Sequence, residues 1–86
     1  MFVNYTLAVF KTRYATLNFA NLLRSFNVPV AIINTPNSIT RACGLSVKFL
    51  SDYYCKVQNL MNGSLQNFVG FYSYIERNGR VELFKL

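Results

Sequence analysis

Residues 2–33 read FVNYTLAVFKTRYATLNFANLLRSFNVPVAII, and a change of period inside this stretch decides the fold. Over residues 2–10 β-branched and aromatic types dominate. Val3, Tyr5, Leu7 and Val9 fall on one side and Phe2, Asn4, Thr6, Ala8 and Phe10 on the other, the two-residue alternation of a strand. From residue 13 the apolar spacing lengthens to three and four. Ala15, Phe19, Leu22, Leu23 and Phe26 form a stripe, while Arg13, Asn18, Asn21 and Arg24 lie off it. This predicts a helix over about residues 13–26, capped by Thr12 and closed at Asn27, which tolerates the left-handed conformation. Pro29 cannot continue a helix, so residues 30–33 are expected to form a second strand.

Residues 34–44, NTPNSITRACG, concentrate the loop-forming residues of the chain. Leu45, Val47 and Phe49 then alternate with Ser46 and Lys48, predicting a third strand with one buried face. Ser51 or Asp52 is expected to cap a second helix with Tyr54, Val57, Leu60 and Met61 as its stripe and Asn62-Gly63 as its stop. A fourth strand is expected over residues 68–75, and Asn78-Gly79 is the strongest hairpin signal, adding a fifth strand. The order β-α-β-β-α-β implies an α+β, ferredoxin-like sandwich: an antiparallel sheet, two helices on one face, the other face open, and an appended hairpin strand. One domain is expected over residues 1–86, with a core over about 2–75 and the hairpin extension over about 76–86.

Composition narrows the function. Of 86 residues 52% are hydrophobic and 16% aromatic, which excludes a disordered or low-complexity chain. Nine Lys and Arg against three Asp and Glu give a net charge of +6, favouring an anionic or electron-rich partner. With no His and only Asp52, Glu76 and Glu82 as acids, a hydrolase triad, a zinc site or a glycosidase carboxylate pair is not expected. Cys43 and Cys55 fit no paired-thiolate zinc spacing; one disulfide stays open, with free thiols in a reducing cytosol the expectation. The apolar start lacks the basic residues and cleavage site of a signal peptide. The long uncharged run over residues 57–75 is too rich in Asn and Gln for a membrane span, so a cytoplasmic protein is expected.

Cys43 stands directly before Gly44 at the end of the polar loop. Sulfur chemistry needs the thiolate, which cationic neighbours favour; Arg41 is two residues away, and Gly44, without a Cβ, lets another molecule approach closely. The plain alternative for a lone cysteine beside a strand is a small buried apolar side chain. The hydroxyls of Thr35, Ser38 and Thr40 either meet a bound anion or satisfy the backbone of their own turn.

Thr35-Pro36, then Ile39-Thr40, then Cys43-Gly44-Leu45 and an alternating strand ending at Phe49 together resemble the signature of the selenium/sulfur carrier-like family of small proteins. The turn at Lys11-Thr12 and the strand start at Pro29-Val30 agree with it, and the similarity covers about residues 5–75. The resemblance implies a ferredoxin-like domain whose cysteine, matched by Cys43, holds sulfur or selenium as a persulfide or its selenium analogue. Arg41 and Gly44 would shape the surroundings of the sulfur, and Thr35, Pro36, Ser38 and Thr40 would form the loop beside the anion. It further implies sulfur or selenium donor and acceptor proteins as partners, no cofactor, and no enzymatic turnover. The chain departs from the family pattern at Asn37, where a basic residue often follows Thr-Pro, so charge activation falls to Arg41. Cys55 reads as an incidental thiol, with a resolving partner for Cys43 as the alternative.

Two other classes compete. An open aromatic sheet with a basic balance is also how RNA-recognition domains stack bases, and residues 69–74, VGFYSY, are superficially similar to their Gly-aromatic core. That segment falls on the fourth predicted strand where the motif requires the third, so nucleic acid is the less favoured partner. A protein–protein interaction or dimerisation module, pairing two copies through the aromatic face or the fifth-strand edge, is the other alternative, and a homo-oligomer is expected.

Overall fold

The change of period at Lys11 and Thr12 is a change of element in the computed structural model, which describes residues 4–39, 42–61 and 67–86. β1 (Asn4–Phe10) leads into α1 (Arg13–Ser25), followed by β2 (Ala31–Asn34), β3 (Leu45–Leu50), a 3₁₀ turn (Ser51–Tyr53), α2 (Tyr54–Leu60), β4 (Phe68–Arg77) and β5 (Arg80–Lys85). The Thr12 hydroxyl accepts from the Ala15 amide at 3.1 Å, satisfying an N–H that the first turn of α1 leaves without a carbonyl. At the other end Asn27 takes φ 64°. The Asn27 amide donates to the Arg24 carbonyl and the Val28 amide to the Leu23 carbonyl, the double closure of a Schellman cap.

The sheet order is β2-β3-β1-β4-β5, with every neighbouring pair antiparallel. The expected α+β class with an antiparallel sheet and two helices stands. The fifth strand is hydrogen-bonded in as an edge, so the sheet has five strands and its order extends past a four-stranded core. Asn78 (φ 49°) and Gly79 (φ 79°) both take the left-handed conformation that a two-residue hairpin turn demands.

The main core lies between helices and sheet. Phe19, Ala20 and Leu23 of α1, with Val57 of α2 and Met61 just beyond it, pack on Ala8, Phe10, Val47, Phe49 and Phe71. The predicted stripe on α1 is rotated in the structure. Thr16, Phe19, Ala20 and Leu23 are its buried residues, whereas Phe26 is 45% exposed because the helix stops at Ser25 and the cap turns it outward.

The opposite face is not left open. The loop after β2 folds over it, and Ile39 packs with Leu7 and Val9 in a second cluster joined by Ile33, Ala42, Val69, Tyr72, Tyr74 and Leu83. Hence the last five residues of β1 are buried on both faces, and Ser46, expected to face solvent, is fully buried. Neither Ser51 nor Asp52 caps α2: the Ser51 hydroxyl is bonded to Thr6 at 2.9 Å, and the 3₁₀ turn leads into the helix without a side-chain cap. The predicted stop at Asn62-Gly63 lies outside the described residues.

Candidate functional site

The long loop is closed at its neck. The Thr35 amide donates to the Gly44 carbonyl at 2.8 Å, and the Thr35 and Ser46 hydroxyls are bonded at 2.6 Å. Inside the neck the Ile39 amide donates to the Pro36 carbonyl at 3.0 Å, a turn that directs Ile39 onto the sheet. Burying that one isoleucine, 8% exposed, offsets part of the entropy of ordering the loop. Gly44 takes φ 93°, which an L side chain rarely adopts, and a Cβ there would meet nothing within 4 Å. The side of Gly44 is open to an approaching molecule.

Cys43 is anchored twice. Its amide donates to the Phe10 carbonyl at the end of β1, at 3.2 Å. Its sulfur lies 3.3 Å from Thr16 Oγ1 and 3.4 Å from the Leu45 carbonyl oxygen. Thr16 is fully buried, one turn into α1, and its hydroxyl also lies 3.0 Å from the Thr12 carbonyl and 3.5 Å from that of Leu45. A hydroxyl has one proton. With a protonated thiol, Thr16 donates to the Thr12 carbonyl and the S–H donates to the Leu45 carbonyl. An anionic sulfur can only accept, and the Thr16 hydroxyl is placed to turn from the Thr12 carbonyl and donate a hydrogen bond to it. Cys43 is half-buried and Cys55, on α2, is exposed; both are free thiols.

The predicted site residues do not all converge. Cys43, Gly44 and the neck come together at the junction of β1, α1 and β3. The Thr35 hydroxyl is held by Ser46, which pairs with Val9 on the face away from the helices, while the Cys43 sulfur is held by α1 on the other face. Thr35 thus serves the neck of the loop. Pro36 is half-buried and contributes its carbonyl to the turn; Ser38 is exposed. Arg41 and Thr40 lie outside the described residues. Sequence reasoning missed Thr16 because a polar residue was not sought in a buried stripe. The signal was present: residues 16, 19, 20 and 23 follow the spacing of one helix face, with Thr12 one turn before.

A shallow cleft of about 220 Å³ runs along Tyr14, Asn18 and Leu22 of α1 towards Asn67; neither Cys43 nor Thr16 lines it. On the far sheet face the Lys48 ammonium sits 4.5 Å from the Tyr5 ring centroid and 5.5 Å from that of Tyr74. Those rings meet each other edge-to-face, and the cation occupies ring surface that a stacked base would use. Among the described residues no group of three or more Cys, Asp or Glu could hold a metal ion, and no helix is long and apolar enough to cross a membrane.

No curated protein and no solved structure matches the chain. Residues 4–73, which span every element from β1 through most of β4 and include Cys43 with its whole loop, match one family model. The chain accordingly belongs to the family described as putative Se/S carrier protein-like.

Proposed function

We propose that the chain carries sulfur or selenium on Cys43 between a donor and an acceptor protein. The observation that supports this most directly is a free, half-buried cysteine beside an unobstructed glycine, in a chain of this family. In this reading β2-β3-β1-β4 with the two helices form the ferredoxin-like frame, and β5 is an addition to it. The Cys43 thiolate attacks the outer sulfur of a donor persulfide. A new S–S bond forms on Cys43 as the donor's S–S bond breaks, and the donor leaves as a thiolate. Unloading repeats the step: an acceptor thiolate takes the outer sulfur and Cys43 departs as thiolate. The sulfur moves without net oxidation or reduction, so the chain needs no cofactor of its own and acts as a carrier, not a catalyst.

Thr16 is the described group able to donate to the anionic sulfur, and Gly44 leaves the path of the partner clear. Arg41 is assigned charge stabilisation from its position two residues before Cys43, with Ser38 and Thr40 as loop hydroxyls near the cargo. Free thiols fit a reducing compartment such as the cytoplasm.

The test is incubation with a cysteine desulfurase and cysteine, read by intact mass. Wild type and Cys55→Ser should each gain the mass of one sulfur atom and Cys43→Ser none. Loading that persists in Cys43→Ser, or that never occurs, would overturn the reading.

A further inference from the structure

The two edges of the sheet are built differently. β2 has four residues and is bracketed by Pro29 and Pro36, which lack the N–H that edge pairing needs. β5 has six residues, no proline and an unbroken register with β4 from Arg77↔Arg80 to Tyr72↔Lys85. Arg80, Glu82 and Lys85 are interspersed along it with apolar side chains. Val81, Phe84 and Leu86 are 44%, 55% and 57% exposed, three of the six large apolar side chains that stand in solvent among the described residues. This strand lies beyond the residues matched to the family, so its surface is not explained by the carrier frame.

The backbone geometry fixes what can join it. A two-residue turn at Asn78-Gly79 makes Arg77↔Arg80 a hydrogen-bonded pair, so Arg80, Glu82 and Phe84 direct their N–H and C=O groups to β4. The Leu86 amide, 3.0 Å from the Phe71 carbonyl, continues that phase. Val81, Leu83 and Lys85 therefore direct theirs outward along the free edge.

We propose that β5 is a dimerisation strand, pairing antiparallel with β5 of a second copy about a two-fold axis through Leu83. In that register Val81 faces Lys85 of the second copy and Leu83 faces its own equivalent. Every outward N–H and C=O of Val81, Leu83 and Lys85 finds a partner on both chains. Glu82 faces Phe84 of the second copy and Arg80 faces its Leu86, so no like charges are opposed and each charged side chain lays its aliphatic stem beside an exposed apolar one. The competing two-fold registers are poorer. An axis through Glu82 sets two carboxylates directly opposite each other, one through Phe84 leaves the outward groups of Val81 unpaired, and one through Val81 runs the pairing into the turn. The result is a continuous ten-stranded sheet, with the Cys43 loops left free on both copies. This inference stands independently of the carrier reading.

Light scattering behind size exclusion, over a concentration series, tests it. Wild type should shift from monomer to dimer. Val81→Pro deletes one outward N–H and keeps the ladder to β4, so it should be monomeric with an unchanged far-ultraviolet circular dichroism spectrum. Val81→Glu places a carboxylate against Lys85 of the second copy and should tighten the dimer, while Val81→Lys should weaken it. Each change should be roughly 2- to 30-fold in Kd, since two equivalent pairs are altered. A wild-type monomer at high-micromolar concentration, or a dimer indifferent to Val81→Pro, would overturn the proposal. Glu and Lys at position 81 acting alike would overturn the Leu83-centred register.

Discussion

Replacing Thr16 with valine keeps the shape of a fully buried side chain and deletes the one hydroxyl among the described residues that is bonded to the Cys43 sulfur. The fold should tolerate the change. The Thr12 carbonyl still accepts from the Thr16 amide at 3.2 Å, so no buried acceptor there is orphaned, and the lost hydrogen bond costs about 1 kcal/mol. For a domain of this size that lowers Tm by about 4–8 °C. Sulfur reactivity should respond more. A hydrogen bond to a charged group is worth more than a neutral one, about 1.5–3 kcal/mol, so alkylation at the sulfur is expected to slow roughly 5-fold without the hydroxyl. The assay is the rate of iodoacetamide addition at neutral pH, followed by mass in a Cys55→Ser background so that the exposed second thiol does not contribute. Thr16→Ser retains the hydroxyl and should restore the rate despite its missing methyl group. Equal rates in wild type and Thr16→Val, or a serine variant as slow as the valine one, would refute the hydroxyl's role.

Thr12→Ala removes the cap of α1 and should cost about 1 kcal/mol, read as a shift in the urea midpoint at unchanged slope. Ile39→Ala uncovers Leu7 and Val9, and should destabilise by about 2–3 kcal/mol and hasten proteolysis within residues 35–44. Gly79→Ala meets no atom, but forces a Cβ into φ 79°; about 1 kcal/mol of lost stability by thermal melting is expected.

The elements were legible wherever local chemistry decides them. The Thr12 cap, the left-handed Asn27 and the Asn78-Gly79 turn each act over a few residues, and each appears where the sequence implies it. Errors arose where distant residues compete. Phe26 continues the helical spacing yet is turned outward by the cap. Ser51 looks like a cap but is taken by Thr6, forty-five positions away. Ser46 looks solvent-facing until the Ile39 loop, returning over the sheet, buries it against Thr35. The site divides the same way. Cys43 and Gly44 were legible as a dipeptide at a loop end. Thr16, on another element, becomes a neighbour of the sulfur only once α1 has docked on the sheet.

The double attachment of Cys43, by its amide to Phe10 and by its sulfur to α1, ties the thiol to two residues buried in the core. In the transfer proposed above, a protein that reached it would meet a target held on two sides. The adjustment that brings two sulfurs into line would then fall to the visiting chain, and a tethered cysteine on a mobile arm would suit the encounter better than one sunk in a rigid cleft.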